Sequence, residues 1–153
     1  IPSTTLVLHN VYGPNCDLDP KRSQVIPSLI NRMIETEYNG TIDVWGSGEQ
    51  GRAFIHVNDI VDAFYLAMQK ENLPSYIQIG PSKCTSIKQL VTILNEEIIQ
   101  KNHIIHYDLT KPEGDKGRAA DYSLANKYLE WYPKININEG LKKLYKWILD
   151  YKK

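Results

Sequence analysis

Arg52 stands between a glycine-rich turn, Gly46-Ser47-Gly48, and the apolar run Phe54-Ile55-His56-Val57. A guanidinium at that spot offers a rigid fork of donors that matches two phosphate oxygens and keeps its proton at physiological pH. Trp45, just ahead of the turn, supplies a flat surface for packing a base or for filling a core. Asn10 follows the apolar stretch Leu6-Val7-Leu8 and His9. A carboxamide is disfavoured inside a strand, which turns its donor and acceptor toward ligand binding. Arg32 falls on the same helical face as Val25, two turns on, and brings a second cation toward an anion. In the loop from Lys111 to Asp121, Gly114 and Gly117 let the backbone approach an anion closely. His9 and His56 read as satisfied structural residues. With His103 and His106 they make no metal-site spacing, and no metal is expected.

These side chains need a scaffold, and the hydrophobic periodicity supplies one. The run closing on Tyr12-Gly13-Pro14 predicts a buried strand that breaks into a loop at its carboxyl end, where open α/β sheets bind ligands. Apolar positions 25, 26, 29, 30, 33 and 34 predict a helix ending near Tyr38, before an Asn39-Gly40 turn. Ile42–Trp45 alternates as a strand, and Phe54–Val57 is another, running into a helix capped by Asn58 or Asp59. Tyr76–Ile79 is a further strand. Ser86 and Gln89 form a capping box for a helix to about Gln100, followed by a strand from His103 to Tyr107. After the polar loop, Ser123 caps a helix through Leu129, and Asn138 caps the last one. Strands and helices alternate throughout, which indicates an α/β class with crossover connections.

With 153 residues, 42% apolar and 24% charged, the chain is long enough to bury a core. Its 18 basic and 18 acidic side chains cancel, so no broad footprint for nucleic acid or an anionic membrane exists and any anion site must be local. No apolar run approaches the ~20 residues of a membrane span. Cys16 and Cys84 lack ligand spacing and read as free thiols of a reducing compartment, the cytoplasm.

The order of Leu6–Pro14 and Val44–Asp59 resembles the C-terminal half of the extended short-chain dehydrogenase/reductases that act on nucleotide sugars. The likeness runs over nearly the whole chain and is strongest to the GDP-mannose 3,5-epimerase and GDP-fucose synthase branches. It implies an α/β fragment whose strands complete a Rossmann-type parallel sheet. Residues 1–14 and 53–80 would complete the dinucleotide-binding domain, and 15–52 and 81–153 would form the substrate-binding domain. It further implies an NAD or NADP cofactor along Leu8, His9, Asn10 and Val11, and a GDP- or UDP-sugar substrate. Asn10 and Gln24 would lie near the sugar, Val25 and Trp45 on the nucleotide side, and Arg32 and Arg52 on the diphosphate. Arg118, with Lys116 in reserve, would complete the clamp from the far loop, so that Arg52 and Arg118 converge on one cleft.

Two departures matter. The chain lacks the family's Gly-x-x-Gly-x-x-Gly turn and Tyr-x-x-x-Lys pair, and it starts at Ile1 with a strand close behind. We therefore expect a fragment without catalytic residues, inactive alone, from a homodimeric epimerase, and expect the faces meant for the other half to be apolar and exposed. Second, where GDP-fucose synthases carry Ser-His-Val-Ile-Pro, this chain reads Ser23-Gln24-Val25-Ile26-Pro27. An amide cannot exchange protons as an imidazole does, which argues against a double epimerisation and leaves epimerase, dehydratase, reductase and non-catalytic binding protein as alternatives.

Overall fold

The computed structural model describes residues 3–114 and 116–153. In chain order it contains β1 (Thr5–Leu8), β2 (Asn10–Tyr12), α1 (Val25–Glu35), β3 (Thr41–Trp45), β4 (Gly51–Arg52), β5 (Phe54–His56) and α2 (Val57–Met68). There follow β6 (Tyr76–Ile79), β7 (Thr85–Ser86), α3 (Ile87–Thr92), a π-helical continuation over Ile93–Ile99, β8 (Ile104–Asp108), α4 (Ser123–Leu129) and α5 (Ile137–Tyr151). Three strand pairs are parallel, β1 with β6, β2 with β5 and β3 with β8, and β4 with β7 is antiparallel. Parallel pairing joined by helices is the α/β architecture expected from the alternation of periods.

Two apolar cores form. One gathers α1, α3 with its continuation, α5 and β3 around Ile30, Met33, Leu94 and Leu144. The other gathers β5, β6, α2 and α4 around Ile55, Ile77, Ile79 and the fully buried Trp131. Residues far downstream thus close a core begun early in the chain. Asp59 secures that closure. Its carboxylate accepts the backbone N–H groups of Lys134 and Ile135 at 3.2 and 3.1 Å.

Several local expectations are corrected. The opening run is two short strands broken at His9, and Val7 and Leu8 are each 40% exposed rather than buried. The cause is pairing: β1 bonds only to β6, so part of its surface has no cover among the described residues. The helix after β5 begins at Val57, and its cap is His56, whose Nδ1 accepts the Asn58 N–H at 3.2 Å, not Asn58 or Asp59. The final helix is capped by Asn136 through the Glu139 N–H, not by Asn138, which bonds Glu97 instead. Ser123 is the first residue of α4, and its N–H is held by Asp121 at 2.9 Å. α1 stops at Glu35 because Thr36 turns extended. The capping box at Ser86 is formed as expected. The stretch to Gln100 is π-helical over Ile93–Ile99, and within it the Asn95 side chain is bonded both ways to the His103 backbone at 3.0 Å.

The expected apolar exposure is present: Val61, Phe64, Tyr65 and Met68 on α2 lie in solvent. Among the described residues no helix is long and apolar enough to cross a membrane, and no group of three His, Cys, Asp or Glu could hold a metal.

Candidate functional site

β3 ends at Trp45, and the chain reverses through Gly46 and Gly48, whose φ values of +73° and +78° are open to glycine at little cost. Gln50 stiffens the reversal by donating its Nε2 to the Trp45 carbonyl at 3.0 Å. β4 then pairs with β7 on one side. On its other side the N–H groups of Gly51 and Ala53 donate to the carbonyls of Lys116 and Arg118, both at 3.0 Å. Arg52 therefore sits in a backbone-bonded ribbon, with β7 and residues 116–118 both tied to its segment. Its Nη1 donates to the Gly51 carbonyl at 2.7 Å.

A cavity of about 590 Å³ opens in front of this ribbon, lined by Asn10, Val25, Arg32, Trp45, Arg52 and Gly114, among others. Arg32 reaches it from α1, held by a 2.8 Å bond from Nη1 to the Asp43 carbonyl. Partial burial draws its pKa down, with the nearby Asp43 carboxylate acting against that, and a guanidinium still keeps its charge. Trp45 is 60% exposed, with the Lys111 ammonium 5.8 Å from its ring centroid, so its face serves a ligand or a cation rather than a core. Two guanidinium groups and an exposed indole in one recess suit a nucleoside diphosphate: charge for the phosphates, a ring for the base.

A second cavity of about 620 Å³ lies at the carboxyl end of β1 and the start of β2, lined by Leu8, His9, Asn10, Val11, Gln24, Gln78 and Arg118, among others. His9 Nε2 bonds Gln78 Oε1 at 3.2 Å, the satisfied role expected of it. Asn10 belongs to the walls of both cavities.

The structure brings Asn10, Val25, Arg32, Trp45 and Arg52 together, and collects Leu8, His9, Asn10, Val11, Gln24 and Arg118 in the neighbouring space. Arg52 lines the first cavity and Arg118 the second. Their segments are adjacent through the Ala53 bond, and the two cavities share Asn10 as a wall. Lys116 lines neither cavity and contributes a backbone carbonyl. Sequence reasoning missed Lys111, Gln50 and Glu113. Lys111 and Glu113 act on the Trp45 turn from the far loop, a pairing no local spacing announces.

A family model for the NAD dependent epimerase/dehydratase family matches residues 1–80. The chain belongs to that family. GDP-L-fucose synthase 1 of Arabidopsis thaliana is 34% identical over 143 residues, 92% of this chain and 43% of the relative. GDP-L-fucose synthase of Escherichia coli K12 is 30% identical over 152 residues, 92% of this chain and 47% of that protein. The chain thus spans less than half the length of these relatives. Among epimerase/dehydratase structures, a UDP-glucose 4-epimerase from Thermotoga maritima, solved with UDP-glucose, superposes with a TM-score of 0.84 at 30% identity, covering 98% of this chain and 47% of that one. A UDP-glucuronic acid 4-epimerase from Bacillus cereus, in complex with UDP-glucuronic acid and NAD, gives 0.83 at 25% identity over 99% and 46%.

Proposed function

We propose that this chain is the nucleotide-sugar-binding part of an NAD(P)-dependent nucleotide-sugar epimerase or dehydratase. The carrying observation is the recess where Arg32, Arg52 and Trp45 meet, joined through Asn10 to a second cavity at the strand ends. The diphosphate lies with Arg52 and Arg32, the base packs by Trp45 and Val25, and the sugar extends past Asn10 toward Gln24 and Arg118. Names of relatives and structural neighbours with nucleotide-sugar substrates support this reading.

The second cavity's residues fit a nicotinamide cofactor. Leu8 and Val11 give an apolar wall, Leu8 being 40% exposed, and Asn10 offers a carboxamide with both a donor and an acceptor for a carboxamide-bearing ring. Such a cofactor takes a hydride from the sugar and returns it. This chain's residues bind and orient, and none of them is assigned a proton transfer. Gln24, exposed at the N-cap of α1, cannot exchange a proton and holds sugar hydroxyls instead. We propose that the chain without further catalytic groups is inactive and that the whole protein works in the cytoplasm as a homodimer.

A second reading, a GDP-fucose-synthase-like epimerase and reductase, is favoured by the 34% and 30% identities to such enzymes. One experiment addresses both. The full-length protein is screened with UDP-, GDP-, dTDP- and CDP-sugars for thermal stabilisation, and the product's stereochemistry and any net consumption of NADPH are read. Stabilisation by none of them refutes the proposal; net NADPH consumption with a GDP-sugar selects the second reading.

A further inference from the structure

Residues 111–114 and 116–118 grip the Trp45–Ala53 segment along its length. Lys111 sits over the Trp45 ring, and Lys116 and Arg118 accept the Gly51 and Ala53 N–H groups. Between these ties, the Glu113 carboxylate accepts the backbone N–H of Ser47, and its side chain fills the space that a Cβ on Gly46 would need. Immediately afterwards Gly114 passes so near Arg52 that an added Cβ would lie 2.6 Å from Nη2. Glu113 is exposed, so water would solvate its charge equally well, and desolvated burial is not its role. What its bond adds is geometry: it fixes the stretch leading into Gly114, which backs the guanidinium.

We infer that Glu113 is a positioning residue, a latch that fastens residues 111–114 to the Gly46–Ser47 turn and so sets the Arg52 guanidinium for a nucleoside diphosphate. The inference rests on the nucleotide-sugar reading and adds to it the element that orders its phosphate contact. A charge is needed less than an acceptor. The carboxylate is held below the usual acid range by the Ser47 N–H, with Lys116 assisting, but an uncharged carbonyl oxygen can accept the same bond. A conservative amide therefore preserves the latch, and a truncation removes it.

The test uses the full-length protein as wild type, Glu113→Gln and Glu113→Ala, titrated with GDP, UDP, dTDP, CDP and guanosine by ligand-observed NMR, with melting temperature as the folding control. Misplacing a charge that contacts phosphate weakens binding steeply, so Glu113→Ala is expected to bind the diphosphates ~10-fold more weakly. Guanosine affinity and melting temperature stay near wild type, and Glu113→Gln stays within about threefold for every probe. Diphosphate affinity unchanged in Glu113→Ala overturns the inference. So does an equal loss in Glu113→Gln, or a loss for guanosine as large as for GDP. Failure of the wild type to bind any of the four diphosphates sinks the nucleotide-sugar reading itself, and the latch with it.

Discussion

The indole Nε1 of Trp131 donates to the backbone carbonyl of Asp59 at 2.9 Å, joining positions 72 residues apart in the chain. Trp131 is 1% and Asp59 2% exposed, so both sides of this junction are out of water. A buried indole that keeps a polar partner is fixed in orientation as well as packed. Because the Asp59 carboxylate also holds Lys134 and Ile135, one residue at the start of α2 anchors the whole return segment.

Replacing Asp59 with Ala removes a buried carboxylate that accepts two partly buried N–H groups. The expected cost is about 2–4 kcal/mol of stability, measured by urea unfolding. Lys134→Ala, whose side chain pairs with Asp62 at the surface, should change stability by less than about 1 kcal/mol and serves as the control.

Arg52 is the proposed phosphate contact, and its backbone is held on both sides. In the full-length protein Arg52→Ala should lose about 2–4 kcal/mol of nucleotide-sugar binding, because the charge partner it faces would be left in a desolvated recess. Calorimetric titration decides; wild-type affinity in the variant removes Arg52 from the site.

His56 makes stability depend on pH. Burial, and then the Lys143 ammonium, hold its pKa below the ordinary 6.5, outweighing Asp59 and Glu139. Its Nε2 is buried without a hydrogen-bond partner among the described residues. The unfolded chain therefore takes up a proton at higher pH than the folded one. The contribution is complete above the unfolded value near 6.5 and is lost as pH falls through 6.5 toward the lower folded value. Urea midpoints at pH 7.5 and 5.5 should fall for the wild type, while His56→Asn, which keeps a cap acceptor for Asn58, should flatten that slope.

Gly140, in the first turn of α5, is packed against the Tyr12 ring: an added Cβ would lie 2.8 Å from Cζ and closer still to the hydroxyl. Although alanine is the better helix former, Gly140→Ala should destabilise by about 1–3 kcal/mol through overpacking. Adding Tyr12→Phe, which removes the nearer atom, should recover part of the loss in thermal melts.

The parts that could be read from the sequence are those whose cause is local. The 3.6-residue repeat located α1, the Ser86–Gln89 box located α3, and the turn around Gly46 and Gly48 marked Arg52 and Trp45 as neighbours of a recess. The caps at His56 and Asn136 were missed because each segment also offers a good capping residue two or three positions later, Asn58 or Asp59 and Asn138. Periodicity alone marks Val7 and Leu8 as buried, because an apolar run reports what a strand can bury and not whether anything covers it; their exposure was implied only by the resemblance, in which this strand completes a larger sheet. The place of Arg118 beside Ala53 was not legible, since a backbone bond between positions so distant in the chain leaves no local spacing in the sequence.

The fate of Trp131 has one more consequence. Ile77 and Ile79 are sealed by Ala125, Leu129 and Trp131, so the sheet that the early residues build stays open until nearly the whole chain has been made. Neither lobe is a contiguous stretch that could be excised and kept folded. A break anywhere between Gly80 and Tyr122 should strand sticky surface on both pieces, and the two pieces should regain solubility only when mixed.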